Sequence, residues 1–299
     1  MEKIKHKKRF NFSVILTVLF LILALYTIIF FIPIIWALIT TFKNYNIYRL
    51  ATARKNVELM LGFNNMTFDN FSLAFKEFKI PVLDGSVHVT RMFWNSILYA
   101  GGCAIVNTMV PCVMAYLVAR YNYYLGKIVY GIVLATMAIP IVGSLPSEIA
   151  MVERLNLMDS VLGLYVLKAN FLGIYFLVFY AQFKSIPKDF TEAAEIDGAS
   201  DAHIMLRIIF PIATGTITTV ILLNFIAYWN DYQIPMIYWE SRPVVAYGMY
   251  YFVRVTTGQM GATPVKLAAM IIVAIPIIVL FLIFNKKVMT NMSIGGVKG

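Results

Sequence analysis

Six long apolar runs separated by polar stretches organise this chain: 12–42, 92–119, 128–147, 161–183, 208–230 and 267–285. A helix needs about 20 residues to cross a hydrocarbon core of roughly 30 Å, and each run meets or approaches that length. The pattern predicts an all-α polytopic membrane protein with six transmembrane helices. Lys168 is the one charged residue inside the runs, and its aliphatic stem can carry the ammonium to an interface. The polar positions divide the rest into a basic arm at 1–11, an outer loop at 43–91, a five-helix core at 92–285 and a tail at 286–299. Within the core, the stretch 184–209 between the fourth and fifth runs stands out as polar and helix-forming.

That stretch reads as helix, tight turn, helix. Pro187 suits a first helical turn, the residues from Lys188 to Asp197 are good helix formers, and Gly198 is placed to stop the helix in a left-handed conformation. Ser200 or Asp201 can cap a second helix running toward Pro211. Ile186, Phe190, Ala193 and Ala194 fall on one helical face, with Glu192 and Glu195 pointing elsewhere. An apolar knob flanked by carboxylates suits docking into a groove of another protein. The same acids fit poorly against anionic lipid headgroups.

Charge gives direction to the spans. Lys3, Lys5, Lys7, Lys8 and Arg9 precede the first run, and such clusters stay in the cytoplasm. An even number of crossings returns Lys286, Lys287 and Lys298 to the same side. The stretch 184–209 is then cytoplasmic, while 43–91 and 231–266 face outward. The first run continues without a break to residue 42, well past the 7–15 apolar residues of a secretory signal, so it is expected to remain as a span. Among the outer segments, 57–63 and 68–78 carry enough apolar residues to pack locally as an ordered docking surface.

Composition agrees: 60% of residues are hydrophobic and 13% charged. A soluble domain of this size needs more charge to cover its surface. The formal charge of +10 is spread over arms and loops beside spans, which fits membrane lipids as partners and not nucleic acid. Cys103 and Cys112 lie on opposite faces of one helix, so they cannot bridge, and they lack the companions of a metal site.

Several function classes lose support from the residues alone. All 15 acidic residues lie outside the six runs, whereas an ion-coupled carrier usually keeps ionisable groups at mid-membrane. Asn107, Asn224, Tyr228 and backbone carbonyls leave a sodium-coupled carrier open as the alternative. No G-x-x-x-x-G-K-[S/T] occurs, and neither H-E-x-x-H nor G-x-S-x-G is present. No catalytic site, cofactor or metal is expected in this chain. If it moves a solute, energy must come from another subunit.

Glu192-Ala193-Ala194, then Asp197-Gly198-Ala199, with Ile209 and Pro211 following, resembles the EAA loop of permease subunits of bacterial ATP-binding cassette importers. Trp229-Asn230-Asp231 is similar to a W-N-[D/E] signature of the carbohydrate branch, and Gly295-Gly296-Val297-Lys298-Gly299 resembles the G-A-V-K-G ending of MalG-like subunits. A departure is Thr214-Gly215-Thr216 after Pro211, where a second proline is common; it touches only local helix geometry.

The resemblance implies a type I importer permease with the MetI-like fold, in the bacterial cytoplasmic membrane. It implies a second homologous permease subunit, two ATPase subunits that bind the ATP and Mg, and an extracytoplasmic solute-binding protein. Phe190, Glu192, Ala193, Ala194, Asp197 and Gly198 would form the ATPase-coupling element. Glu192 would pair with a basic group of the ATPase, Ala193 and Ala194 would allow close packing, Gly198 would turn the chain and Asp197 would brace that turn. Carbohydrate is the implied solute, a non-sugar solute the alternative within the class. Polar and aromatic groups within the runs, namely Asn95, Asn107, Asn224, Tyr228 and Trp229, are candidate solute contacts, since sugars take ring faces and directional donors. The competing roles are interhelical hydrogen bonds for Asn and Tyr, and interfacial placement for Trp.

Overall fold

A computed structural model describes residues 12–56, 66–83, 85–121, 123–139, 143–255 and 261–294. It divides into two compact units, one built from Met1–Glu77 with Thr256–Ile272 and the other from Phe78–Val255 with Val273–Gly299.

In the first unit, α1 (Phe12–Thr41) is a single apolar helix with Pro33 inside it. From Ile15 onward most of its large side chains are exposed, Phe20 at 69% and Tyr26 at 66% among them. Such a surface needs lipid or another protein to cover it. Polar order begins where the helix ends. Asn70 is fully buried, and its amide donates to the carbonyls of Thr41 and Lys43, both at 2.7 Å. The side chain of Asn44 accepts from the amides of Asn46 and Ile47 to cap α2 (Tyr45–Ala53). Phe42 meets Phe68 and Phe71 at ring separations of 5.2 and 5.4 Å, which seats α3 (Asp69–Glu77). The expected local packing of 68–78 is thus present as a helix; 57–63 lies outside the described residues.

The second unit opens with an antiparallel hairpin, β1 (Lys79–Val82) and β2 (Gly85–His88), in which Ile80 faces Val87. The chain then enters α4 (Val89–Arg120), the longest element of the unit and its central post. Around it pack α7 (Val161–Lys168), α8 (Ile174–Ser185), α11 (Thr214–Trp229) and, after the short α12 (Gln233–Tyr238), α13 (Val245–Val255). Helices in lipid associate through close packing and polar bridges rather than a hydrophobic drive, and both are visible. Asn107 donates to Asn224 at 3.2 Å, and Asn224 donates to Thr108 at 3.0 Å, joining α4 to α11. Asn95 donates to the carbonyl of Pro243 at 3.0 Å, and Ser96 accepts from the amide of Val245 at 2.8 Å.

Small residues set the closest approaches. A Cβ on Gly163 would collide with the backbone carbonyl of Leu157, and one on Gly102 with the Tyr165 ring. The Tyr165 hydroxyl is held by the Leu98 carbonyl at 2.8 Å. Gly163→Ala is therefore expected to destabilise the fold by about 1–3 kcal/mol, the usual cost of overpacking. Thermal denaturation of the detergent-solubilised chain checks this, and an unchanged midpoint would contradict it.

Of the six apolar runs expected as spans, three are continuous helices of spanning length and the others are interrupted. Among the described residues three helices are long and apolar enough to cross a membrane, or four if a bent pair counts as one. Ile15–Thr41, Val89–Arg120 and Thr263–Ile283 are continuous, the last lying within α14 (Thr263–Ile294). The expected run 208–230 is the bent pair: α10 (Asp201–Ile212) meets α11 at 77°. Pro211 lacks the amide that would continue the ladder, and a π-helical stretch, Ile204–Ile209, precedes it. The run 161–183 divides into α7 and α8 around Gly173, whose φ of +123° suits glycine. In place of 128–147 stand α5 (Tyr124–Ala138) and a more polar α6 (Leu145–Arg154). Breaks of this kind in apolar runs are tolerated where protein surrounds the freed backbone groups.

Candidate functional site

The polar stretch between α8 and α11 folds as two short helices joined by a turn. Lys188 begins α9 (Asp189–Ile196): its carbonyl accepts from the amides of Thr191 at 2.8 Å and Glu192 at 3.0 Å. Pro187 therefore lies just before the helix and not in its first turn. At the other end Gly198 adopts φ +76°. Its amide donates to the Glu195 carbonyl at 3.0 Å, and that of Ala199 donates to Ala194 at 2.9 Å. These bonds close the helix as a left-handed glycine does. Ser200 is the residue that caps α10, its hydroxyl accepting from the His203 amide at 3.4 Å.

The face expected to carry Ile186, Phe190, Ala193 and Ala194 together is divided. Ile186 and Ala194 are buried against the chain's own core, with Tyr116, Phe183, Ile204, Ile209 and Phe210. Phe190 is 49% exposed and Ala193 is also exposed. Ile196, outside the face expected from the sequence, is 87% exposed. Phe190, Ala193 and Ile196 recur at i, i+3 and i+6, an arc of about 120° on a helix of 3.6 residues per turn. Asp189 and Glu192 lie within and beside that arc, and both are exposed. The helix thus turns Ala194 inward and presents an apolar, acid-flanked surface outward. Ile196 was detectable only as an apolar residue beside the turn, a signal too weak to separate burial from display.

Beneath α9 an aromatic block ties the loop to α4. Phe183 is fully buried, stacked on Phe210 at 6.0 Å and 15° and edge-on to Tyr116 at 5.6 Å and 85°. Tyr116 also meets Phe210 and Tyr121 edge-on, each at 6.1 Å. The start of α10 is bound to the same region, for burial and the neighbouring Asp201 carboxylate push the Tyr121 phenol above its ordinary pKa. The helix that carries the exposed arc is in this way packed through these rings onto the central helix.

The candidate solute contacts occupy two settings. Asn95, Asn107 and Asn224 are engaged in the bonds between elements described above. Tyr228 meets Tyr99 edge-on at 5.8 Å and lies 5.6 Å from the Lys168 ammonium, while the Tyr99 hydroxyl donates to Asp231 at 2.7 Å. Trp229 is 2% exposed, and its indole N–H has no hydrogen-bond partner among the described residues. It borders a cavity of about 340 Å³ with Asn230, Tyr232, Tyr250 and Arg254, in which the two tyrosines stack at 4.6 Å. The structure therefore separates the asparagines, which bind other parts of the chain, from the aromatic pair at the end of α11. Among the described residues no group of three His, Cys, Asp or Glu side chains could hold a metal.

Comparison with known proteins places this architecture. The diacetylchitobiose uptake system permease protein NgcG of Streptomyces coelicolor is 23% identical over 92% of this chain and 86% of its own length. The melibiose/raffinose/stachyose import permease protein MelC of Bacillus subtilis is 25% identical over 79% and 82%. The trehalose transport system permease protein SugB of Mycobacterium tuberculosis is 27% identical over 79% and 84%. In fold, the chain is similar to a chain of a bacterial ABC transporter involved in the import of the acidic polysaccharide alginate, with a TM-score of 0.71 at 21% identity, covering 96% of this chain and 99% of that one. Residues 108–292 match the family of binding-protein-dependent transport system inner membrane components. That match spans α9, the Gly198 turn and α11. The chain is a multi-pass membrane component rather than an enzyme, and it belongs to the binding-protein-dependent transport system inner membrane component family.

Proposed function

We propose that this chain is the permease subunit of an ATP-binding cassette importer for carbohydrate, driven through α9 by a separate ATPase. The observation that carries the reading is the outward arc of Phe190, Ala193 and Ile196 with Asp189 and Glu192, closed by Gly198 and set on the aromatic block, in a chain of this family. A short helix of that kind presents an apolar knob for a groove and carboxylates that fix its orientation. Carbohydrate follows from the relatives, whose names specify diacetylchitobiose, melibiose, raffinose, stachyose and trehalose. Ion-coupled transport by this chain alone gives α9 no purpose.

In this reading the broken elements complete six crossings. α5 continues toward α6, α7 and α8 act as one interrupted span, and α10 leads into α11. The basic arm places both termini in the cytoplasm with the loop that contains α9. A second homologous permease covers part of the exposed apolar surface, two ATPases bind ATP and Mg, and a solute-binding protein docks outside. Rocking of the spans follows ATPase closure, with no covalent step in this chain. Solute contact is assigned to Tyr228, whose partly exposed ring suits a sugar, while Trp229, buried against Phe225 and Phe93, supports that end of α11. Asn95, Asn107 and Asn224 are assigned to holding the helices together.

The test is a mild-detergent pull-down of the tagged chain from native membranes with mass spectrometry of its companions. Recovery of a second six-span permease and a nucleotide-binding subunit is the expected result. A chain that purifies alone, under conditions that preserve other membrane complexes, would contradict it.

A further inference from the structure

A cavity of about 380 Å³ lies where the end of α4, the start of α5 and the end of α8 meet the segment leading into α9. Arg120, Lys127, Lys184 and Lys188 line it together with Tyr130 and Tyr180, and no carboxylate is among the described residues that do so. The two rings pack at 4.8 Å, and the Lys184 ammonium sits 5.7 Å from the Tyr180 centroid. Arg120 is the informative member. Its Nε and Nη2 are covered from solvent, yet neither has a hydrogen-bond partner among the described residues. Burying guanidinium nitrogens unpaired is costly. Four basic side chains line the cavity and no carboxylate among the described residues does, Asp201 being a neighbour of the lining Tyr121; the implication is the same, that an anion belongs here.

The surroundings indicate which anion. From the cavity, the first turns of α5 present Tyr124 at 77% exposure and Leu125 at 64%, followed by Ile128 and Ile132, also exposed. Tyr124, Ile128 and Ile132 repeat every four residues and so form a stripe along the helix. A basic pocket at the head of an apolar stripe matches a molecule with a phosphate at one end and acyl chains at the other. A free phosphate would leave the stripe unused, as would an acidic peptide.

We propose that this cavity is a binding site for a phosphate-bearing anion, occupied by the headgroup of an anionic phospholipid whose chains lie along α5. Arg120 and Lys184 hold the phosphate from the α4 and α8 sides, and Lys127 closes it from α5. Lys188 immediately precedes α9, so an occupied site fixes the segment from which the coupling helix departs. The assignment to the cytoplasmic leaflet rests on the orientation proposed above; the binding chemistry does not.

Native mass spectrometry of the purified full transporter tests it. The protein is stripped of lipid in detergent and offered dioleoylphosphatidylglycerol, dioleoylphosphatidylcholine or inorganic phosphate. Wild type is expected to retain phosphatidylglycerol over phosphatidylcholine, and the pair R120Q/K184Q to bind it about thirtyfold more weakly, the loss expected for two basic groups at a lipid surface. If that pair fails to assemble, K127Q/K184Q, at two exposed positions, replaces it with the same expectation. No preference between the two lipids overturns the proposal, as does equal retention by the variant. Inorganic phosphate that displaces phosphatidylglycerol completely at millimolar concentration overturns the lipid as occupant. A carboxylate cross-link from Lys184 to another subunit shows a protein there instead and also overturns it. If no ATPase accompanies the chain, the importer reading fails while lipid retention is still measured on the chain itself.

Discussion

Replacing Glu192 with Lys is expected to abolish solute-dependent uptake while leaving the chain in the membrane at its normal level. Glu192 is exposed on α9 beside the arc of Phe190, Ala193 and Ile196, so it supports no core packing whose loss would unfold the protein. Its carboxylate also sits in the first turn of the helix, where negative charge opposes the amide dipoles favourably. The dipole accounts for only about 0.3–1 kcal/mol, and reversal of charge there would fray α9 without melting the loop. The larger effect lies at the proposed contact with the ATPase. Close charge pairs across an interface couple by roughly 1.5–7 kcal/mol, and reversal turns attraction into repulsion. Retention of the ATPase in a pull-down should fall by about a hundredfold, for a loss near 3 kcal/mol. Normal uptake by the Lys variant would remove Glu192 from the coupling surface, whereas Glu192→Gln, which keeps shape and loses only charge, should fall between the two.

Much of this loop is legible in residue order because its signals are local. Gly198 follows a run of helix formers and takes the left-handed conformation that only glycine adopts cheaply. Ser200 stands where a cap is needed and accepts the expected amide. The division of the α9 face is another matter. Periodicity places Phe190, Ala193 and Ala194 near one another on a helical wheel, but whether that face turns inward depends on what the loop packs against. Here Phe183 and Phe210, from the elements on either side of the loop, meet Tyr116 from the distant α4, and together they bury Ala194 while leaving Phe190 outside. The same limit applies to the interrupted spans. Apolar runs tell that a segment avoids water, yet α7 ends at Lys168 and α8 begins at Ile174, across a non-helical segment that closes on Gly173 at φ +123°, whereas Gly101 and Gly102 continue α4. Arg120 reads from sequence as one more basic residue beside a span; its unpaired nitrogens appear only when α5 and α8 close around it.

Phe183→Ala should separate docking from transmission, giving a transporter that retains its ATPase and yet moves little solute. Phe183 is wholly buried, far from the exposed arc in character, and holds Phe210 and Tyr116 by stacked and edge-on contacts. Truncation removes a ring from a close-packed cluster, and in protein cores the combined loss of contacts and the cavity left behind costs about 3–5 kcal/mol. Part of that cost is expected as lowered thermal stability of the assembled complex. The rest appears as slack between α9 and α4, because Ala194 and Ile186 rest on the same block and lose their backing. Stimulation of ATP hydrolysis by the loaded binding protein in proteoliposomes should therefore fall by at least about tenfold, a shift of 1.4 kcal/mol in the coupling equilibrium. Phe183→Leu, which refills most of the volume, should recover a large share of it. Full stimulation in the Ala variant, with a lowered melting point, would show that the aromatic block stabilises the fold without carrying the motion. Loss of ATPase retention in the same variant would place Phe183 with Glu192, as a residue that shapes the docking helix rather than one that transmits its movement.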